Sequence, residues 1–404
     1  MNKYLVSLAF SFLSITLVAQ QKYSEQELNE IQRKINEFAV VDLTYDLNKL
    51  SAHEQSILPL LLEAAEIADS VFWLQTCRNR NEIINGVDDD RLKRFIEINY
   101  GPYERLNGNK PFIKGIETKQ KGVSFYPKNI TSEEFEKFAD SNKMNPYNVV
   151  KRNSKGELFL TPYSEEYLEY NLAIKSNLQR AAMIVGRSDT AFAKYLYNKG
   201  QDIMDNDYTE SDILWLESNN NILDIIVGPI ESYEDQFKGV KTAYEAYIVA
   251  KDTVWSNKLQ KYVKLLPDLQ ANLPIEKRYR TSLPGLKSQI GAYDVLFYAG
   301  DCNSGSKTIA VNLPNDERVQ AQYGTRRLQL KNVMRAKFDS ILMPISKVLI
   351  DKKQQKYINF NAFFANTMFH EVAHGLGIKN TLTGKGTVRQ SLQEHASALE
   401  EGKA

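Results

Sequence analysis

Between Ser24 and about residue 100, apolar residues recur every three or four positions, the spacing of one buried helix face. The longest such run, "SAHEQSILPLLLEAAEIADSVFWLQTC" at 51–77, ends in an aromatic patch at Phe72 and Trp73. "NYGPYERLNGNKPFIKG" follows, with Gly, Pro and Asn marking loops. In "TSEEFEKFADSN", Thr131 stands three residues before Glu134, the spacing of a capping box, and predicts a short helix. Helical spacing returns over about 164–184 and 188–204.

The pattern changes after "SDILWLES". "ILDIIVGPIESY", "YEAYIVAKD", "AYDVLFYAG" and "KTIAVNLPN" are short runs rich in β-branched and aromatic residues, each bounded by turn residues. They predict strands of a small sheet or barrel over about 222–313. Helical spacing resumes near 340. Strands gathered in one region with helices on either side predict an α+β fold, with the domain boundary between 315 and 340. We place it at 325, giving lobes of 20–325 and 326–404.

Composition adds limits. The 404 residues suffice for two or three domains, and 51 basic against 50 acidic residues leave a net charge of +1. Such a balance excludes the basic face expected of a nucleic-acid binder. At the N-terminus, Lys3, the apolar run Tyr4–Val18 and Ala19 predict a signal peptide over 1–19, with export to the periplasm or outside the cell. That run is too short to span a bilayer, so no stable membrane anchor is expected. Cys77 and Cys302 lie far apart, outside any metal-binding spacing, and are expected to be two independent buried thiols.

The chemistry concentrates in "FHEVAHGLGIKN" at 369–380, which holds two of only four histidines. On a helix, residues i and i+4 share a face, so His370 and His374 can direct two imidazoles at one metal ion. Glu371, one position round, can reach a metal-bound water instead. The apolar "INFNAFFANTMF" before it predicts burial of that helix, and Gly375 and Gly377 predict its end. A two-His zinc site needs a third ligand. "VRQSLQEHASALEEGKA" predicts a second helix that folds back and offers Glu394, Glu400, Glu401 or His395. Spacing alone does not choose among them.

"HEVAHG" followed by "EEGKA" resembles the two metal motifs of the dipeptidyl peptidase III family of zinc metallopeptidases. "GPIESYEDQFKGVKTAYEAYIVA" at 228–250 and "VNLPNDERVQAQYGTRRLQLKNV" at 311–333 resemble further segments of it. The N-terminal half is similar to the shorter branch of the family, some members of which carry a Nudix domain; no Nudix motif is present here. The resemblance implies two lobes around a cleft, one zinc ion, and release of dipeptides from the amino end of short peptides. It implies His370, His374 and Glu401 as ligands, Glu371 as general base and Glu400 as the partner that orients a ligand histidine. Glu231, Tyr233, Asn312 and Asn315 would line the substrate cleft. A carboxylate with two amide carbonyls also suits a peptide ammonium, the group from which a dipeptide is measured.

The chain departs from the family in two respects. The common motif is HExxxH, whereas HExxH stands here. Family members also continue well beyond the second motif, so a chain ending at Ala404 is expected to lack the rest of the zinc-bearing lobe. Two other functions stay open on sequence alone, a peptide-binding protein without catalysis and a secreted zinc endopeptidase. Oligomeric state is not readable from these residues.

Overall fold

The helix Ala52–Cys77 forms the spine of the larger lobe. Ser51 opens it with a capping box: its hydroxyl accepts from the Glu54 amide at 3.4 Å, and its own amide donates to the Glu54 carboxylate at 2.9 Å. The other Glu54 oxygen accepts from the Ile222 and Leu223 amides, both at 2.9 Å, which fastens the helix to the start of the sheet. Burial pushes the Glu54 carboxyl up, but these hydrogen bonds outweigh it and hold the group below the usual range. Ile57, Leu61, Ala64, Ala68, Val71 and Phe72 make the buried stripe, which packs on the sheet and on the helix Leu168–Val185. That helix and Thr190–Asp205 fill the two stretches expected at 164–184 and 188–204.

The computed structural model describes residues 22–77, 80–122, 124–280, 289–373, 376–378, 380–386, 388–392 and 395–404. The expected signal peptide therefore lies outside the described residues. Among the described residues, no helix is long and apolar enough to cross a membrane. Cys77 and Cys302 carry separate thiols as expected, Cys302 buried but Cys77 only half-buried. Thr131 caps Ser132–Lys137, its hydroxyl accepting from the Glu134 amide at 3.1 Å. The Glu134 carboxylate does not complete the box; it binds the Arg152 guanidinium through both oxygens, at 2.5 and 3.0 Å. A two-point charged contact displaces a single bond to a backbone amide.

Two short hairpins, β1 (Tyr103–Glu104) with β2 (Lys110–Pro111) and β3 (Asn148–Arg152) with β4 (Leu158–Pro162), precede the main sheet. That sheet has five strands, β5 (Leu223–Glu231), β6 (Ala243–Asp252), β7 (Gln289–Gly300), β8 (Ala310–Leu313) and β9 (Arg326–Leu330). Their order is β5-β6-β7-β9-β8, and only the β7–β9 pair is parallel. The four expected strands are β5 to β8. The fifth, "RRLQL", reads as polar, yet alternate residues Arg326, Leu328 and Leu330 are buried. It begins at the expected boundary, so the sheet takes a strand from beyond residue 325.

The sheet curls into a half-barrel. The Asn315 amide, just past edge strand β8, donates to the Ile230 carbonyl of the opposite edge strand β5 at 3.1 Å. Arg326 of β9 crosses the interior to Asp224 of β5 at 3.3 Å. The inner face of the sheet and the helices around Ala52–Cys77 share one large core. A separate small core lies on the other face, where Leu259, Ile290, Ala292 and Met334 meet Phe364 and Met368. Phe364 and Met368 belong to the helix Phe360–Ala373. The fold is α+β, mainly helical and two-lobed, and that helix packs on the second face of the sheet.

Candidate active site

The apolar run that precedes the histidine motif forms Phe360–Ala373 and buries Phe364 and Met368 against the sheet. This leaves His370 near the surface. Within the expected second helix, the described residues form Val388–Leu392 and Ala396–Lys403, with 393 and 394 outside them. The latter brings Glu401 to His370, with Nε2 and Oε2 3.2 Å apart. His374 and Glu394 lie outside the described residues, as does Gly375. His395 stands at the N-terminal end of Ala396–Lys403.

The loop between the two helices is held from both sides. The Leu376 amide donates to the Ala373 carbonyl at 3.0 Å, and Gly377 takes the left-handed conformation (φ +84°) expected of a helix stop. The Gln270 side chain accepts from the Gly377 amide at 2.9 Å. From the terminal helix, the Lys403 ammonium donates to the Leu376 carbonyl at 2.9 Å and pairs with Glu400 at 2.7 Å.

The chemistry of the donor set fits a metal ion as far as it is described. In a tetrahedral zinc site with bonds of about 2.0–2.2 Å, neighbouring ligand atoms stand about 3.3–3.5 Å apart. The His370–Glu401 separation is close to that. Among the described residues no three His, Cys, Asp or Glu side chains gather around one point, so the third donor is left to residues such as His374.

Glu371 is half-buried, and its backbone carbonyl accepts from Nη1 of Arg327 on β9. Burial pulls the Arg327 guanidinium down from its usual range, and the nearby Glu371 and Glu400 carboxylates oppose this. Directly across from Arg327, in register on β8, stands Asn312, exposed as a cleft residue must be. Three residues on, the Asn315 amide, which donates to the Ile230 carbonyl, stands close enough to the Glu231 carboxyl at the end of β5 to favour its ionised form. The sheet thus links Glu231, Asn315, Asn312 and Arg327 to Glu371 through successive neighbours. Tyr233, in the turn after β5, is 76 % exposed.

Glu231 stands near other buried carboxyls. Burial pushes its carboxyl above the usual range, and the Asn315 amide opposes the shift. Asp301 is pushed up to about 6, first by burial and further by Glu234 and Glu231, although Arg105 pulls the other way. Burial keeps the Glu245 carboxyl well above the usual range, with Asp301 and Glu231 adding to it.

Residues 174–401, more than half of the chain, match the model of peptidase family M49. The chain belongs to peptidase family M49. Its fold is that of the dipeptidyl peptidase III structures: it superposes on that of Caldithrix abyssi with a TM-score of 0.86 and 36 % identity, over 91 % of this chain and 72 % of that one. The corresponding values for dipeptidyl-peptidase III of Corallococcus sp. strain EGB are 0.81 and 33 %, over 93 % and 72 %. A curated relative, Nudix hydrolase 3 of Arabidopsis thaliana, is 31 % identical over 95 % of this M49 chain. The chain spans 58 % of that relative's length.

Sequence reasoning missed Arg327 and Gln270. Adjacent arginines in "TRRLQL" carried a usable signal, since a strand sends neighbours to opposite faces and only one of the two can be buried in the core. Gln270 gave none.

Proposed function

We propose that this M49 chain is a zinc-dependent exopeptidase that binds short peptides by their free amino end and releases N-terminal dipeptides. The observation that carries the reading is the 3.2 Å approach of His370 to Glu401 across two helices, with Glu371 beside it in the chain. His370, His374 and Glu401 would hold one zinc ion, and Glu400 would orient a ligand histidine. When bound, zinc polarises a peptide carbonyl and acidifies water. Glu371 accepts the proton of the attacking water at a carboxylate oxygen and passes it to the departing amine. Glu231 receives the peptide ammonium, Asn312 and Asn315 accept from it, and Tyr233 donates to a peptide carbonyl. The burial of Glu231 beside Asn315, at the end of β5, supports it in this role. Residues 1–19 serve as an export signal in this reading, tested by sequencing the amino terminus of the exported protein, which should begin near Gln20.

The direct test is incubation of the zinc-loaded chain with an unblocked hexapeptide, followed by mass spectrometry. Successive dipeptides, lost on chelation or on acetylating the peptide's amino end, are the expected products. Internal cuts that ignore acetylation would make the protein an endopeptidase. Binding without cleavage would make it a peptide receptor.

A further inference from the structure

Arg327 has a geometry that the proposed reaction leaves unexplained. It lies on the face of the sheet that the His370 helix covers, since its partner on β7 is Ile290 of the small core and its partner on β8 is Asn312. From there it donates to the Glu371 carbonyl. Among the described residues, Nε of the same guanidinium is enclosed without a hydrogen-bond partner. A buried donor without a partner is destabilising, so packing alone does not account for an arginine at this place.

We infer that Arg327 is a positioning residue that fixes the Glu371 turn against Asn312 and so sets which peptide bond is cut. The inference rests on the dipeptidyl-peptidase reading above. Asn312 and Arg327 are direct cross-strand neighbours, so one side chain spans the distance from the edge that recognises substrate to the residue that activates water. An extended peptide advances about 3.3 Å per residue, and a cut at the second bond requires that span to be held to a fraction of this length. The planar, multiply bonding guanidinium holds it better than a flexible ammonium can.

The test compares Arg327→Met and Arg327→Lys in the full zinc-loaded chain, on an unblocked hexapeptide. A misplacement of this kind costs about 100-fold in kcat. We expect that loss in Arg327→Met with KM little changed and tripeptides beside the dipeptides, while zinc content and melting temperature stay as in the parent. Arg327→Lys should regain part of the rate and the dipeptide product. Unchanged kcat with dipeptides alone would overturn the inference. So would a loss that lysine does not relieve and that accompanies lost zinc and early unfolding, which would mark Arg327 as structural. Should the parent chain release no dipeptides, it is the peptidase reading that fails. Amide exchange over 366–373 then decides on Arg327: faster exchange in Arg327→Met, partly restored by lysine, upholds positioning, and equal exchange refutes it.

Discussion

At the scale of single residues, the proposed roles separate by what each substitution removes. Glu371→Gln keeps the shape of the side chain and removes its ability to take a proton. Turnover should fall by about 10²–10⁴-fold, with zinc content and fold retained. Measured kcat equal to the parent's would exclude Glu371 from the reaction. Glu231 adds a pH dependence. Only its ionised form pairs with an ammonium, and burial holds its pKa above the ordinary value, beside an Asp301 pushed up to about 6. Affinity for a free amino end is therefore full above that range and lost as the pH falls. KM for an unblocked peptide should climb as acidification protonates Glu231, at a pH above the ordinary carboxylate range, and Glu231→Gln should raise KM at neutral pH and flatten the curve. A KM that stays level in the parent would show that Glu231 does not receive the amine. His370 and Glu371 were legible in the sequence because histidines are rare and their spacing is that of a helix face. Arg327 was not, because strand register, absent from local pattern, decides where it points.

At the scale of elements, β9 shows both the reach and the failure of pattern reading. Strands β5 to β8 announce themselves by β-branched and aromatic runs. In β9 the first inward position is Arg326, which is nearly fully buried. It is accommodated by a set of acceptors that come from distant segments: Ser218 carbonyl at 2.7 Å, Leu216 carbonyl at 3.2 Å, Gln289 at 3.1 Å and Asp224 at 3.3 Å, with the Trp215 ring 4.4 Å away. No window of sequence contains that environment. Arg326→Met should cost about 3–5 kcal/mol because it strands a buried carboxylate. Burial already pushes Asp224 up to about 6, against the pull of Arg326. A raised carboxyl favours folding below its unfolded pKa and loses that advantage as the pH rises through the folded value. The deficit of Arg326→Met should therefore be smallest near pH 4 and grow toward pH 7, as read from urea midpoints. A deficit that shrinks over that range would mean that Asp224 is stabilised in its charged form by its other donors, Trp215 and the Ile225 amide.

At the scale of the whole molecule, the two cores are unequal, and the candidate site sits on the lesser one. The large core joins the sheet's inner face to the helical lobe, while the small one consists of Leu259, Ile290, Ala292, Met334, Phe364 and Met368. Phe364 is its centre, fully buried, edge-on to Trp255 at 4.9 Å and stacked on Phe360 at 5.6 Å. Removing such a ring costs about 3–5 kcal/mol. Because the Phe360–Ala373 helix reaches the rest of the protein chiefly through this cluster, the loss should fall on the helix before it falls on the sheet. In Phe364→Ala, amide exchange should accelerate across 360–373 while Ala52–Cys77 and β6 keep the protection of the parent. Zinc affinity should drop with it, since His370 and Glu401 meet only when that helix is seated. Acceleration spread equally over both cores would show that they unfold as one unit, and the site would then owe its order to the entire fold.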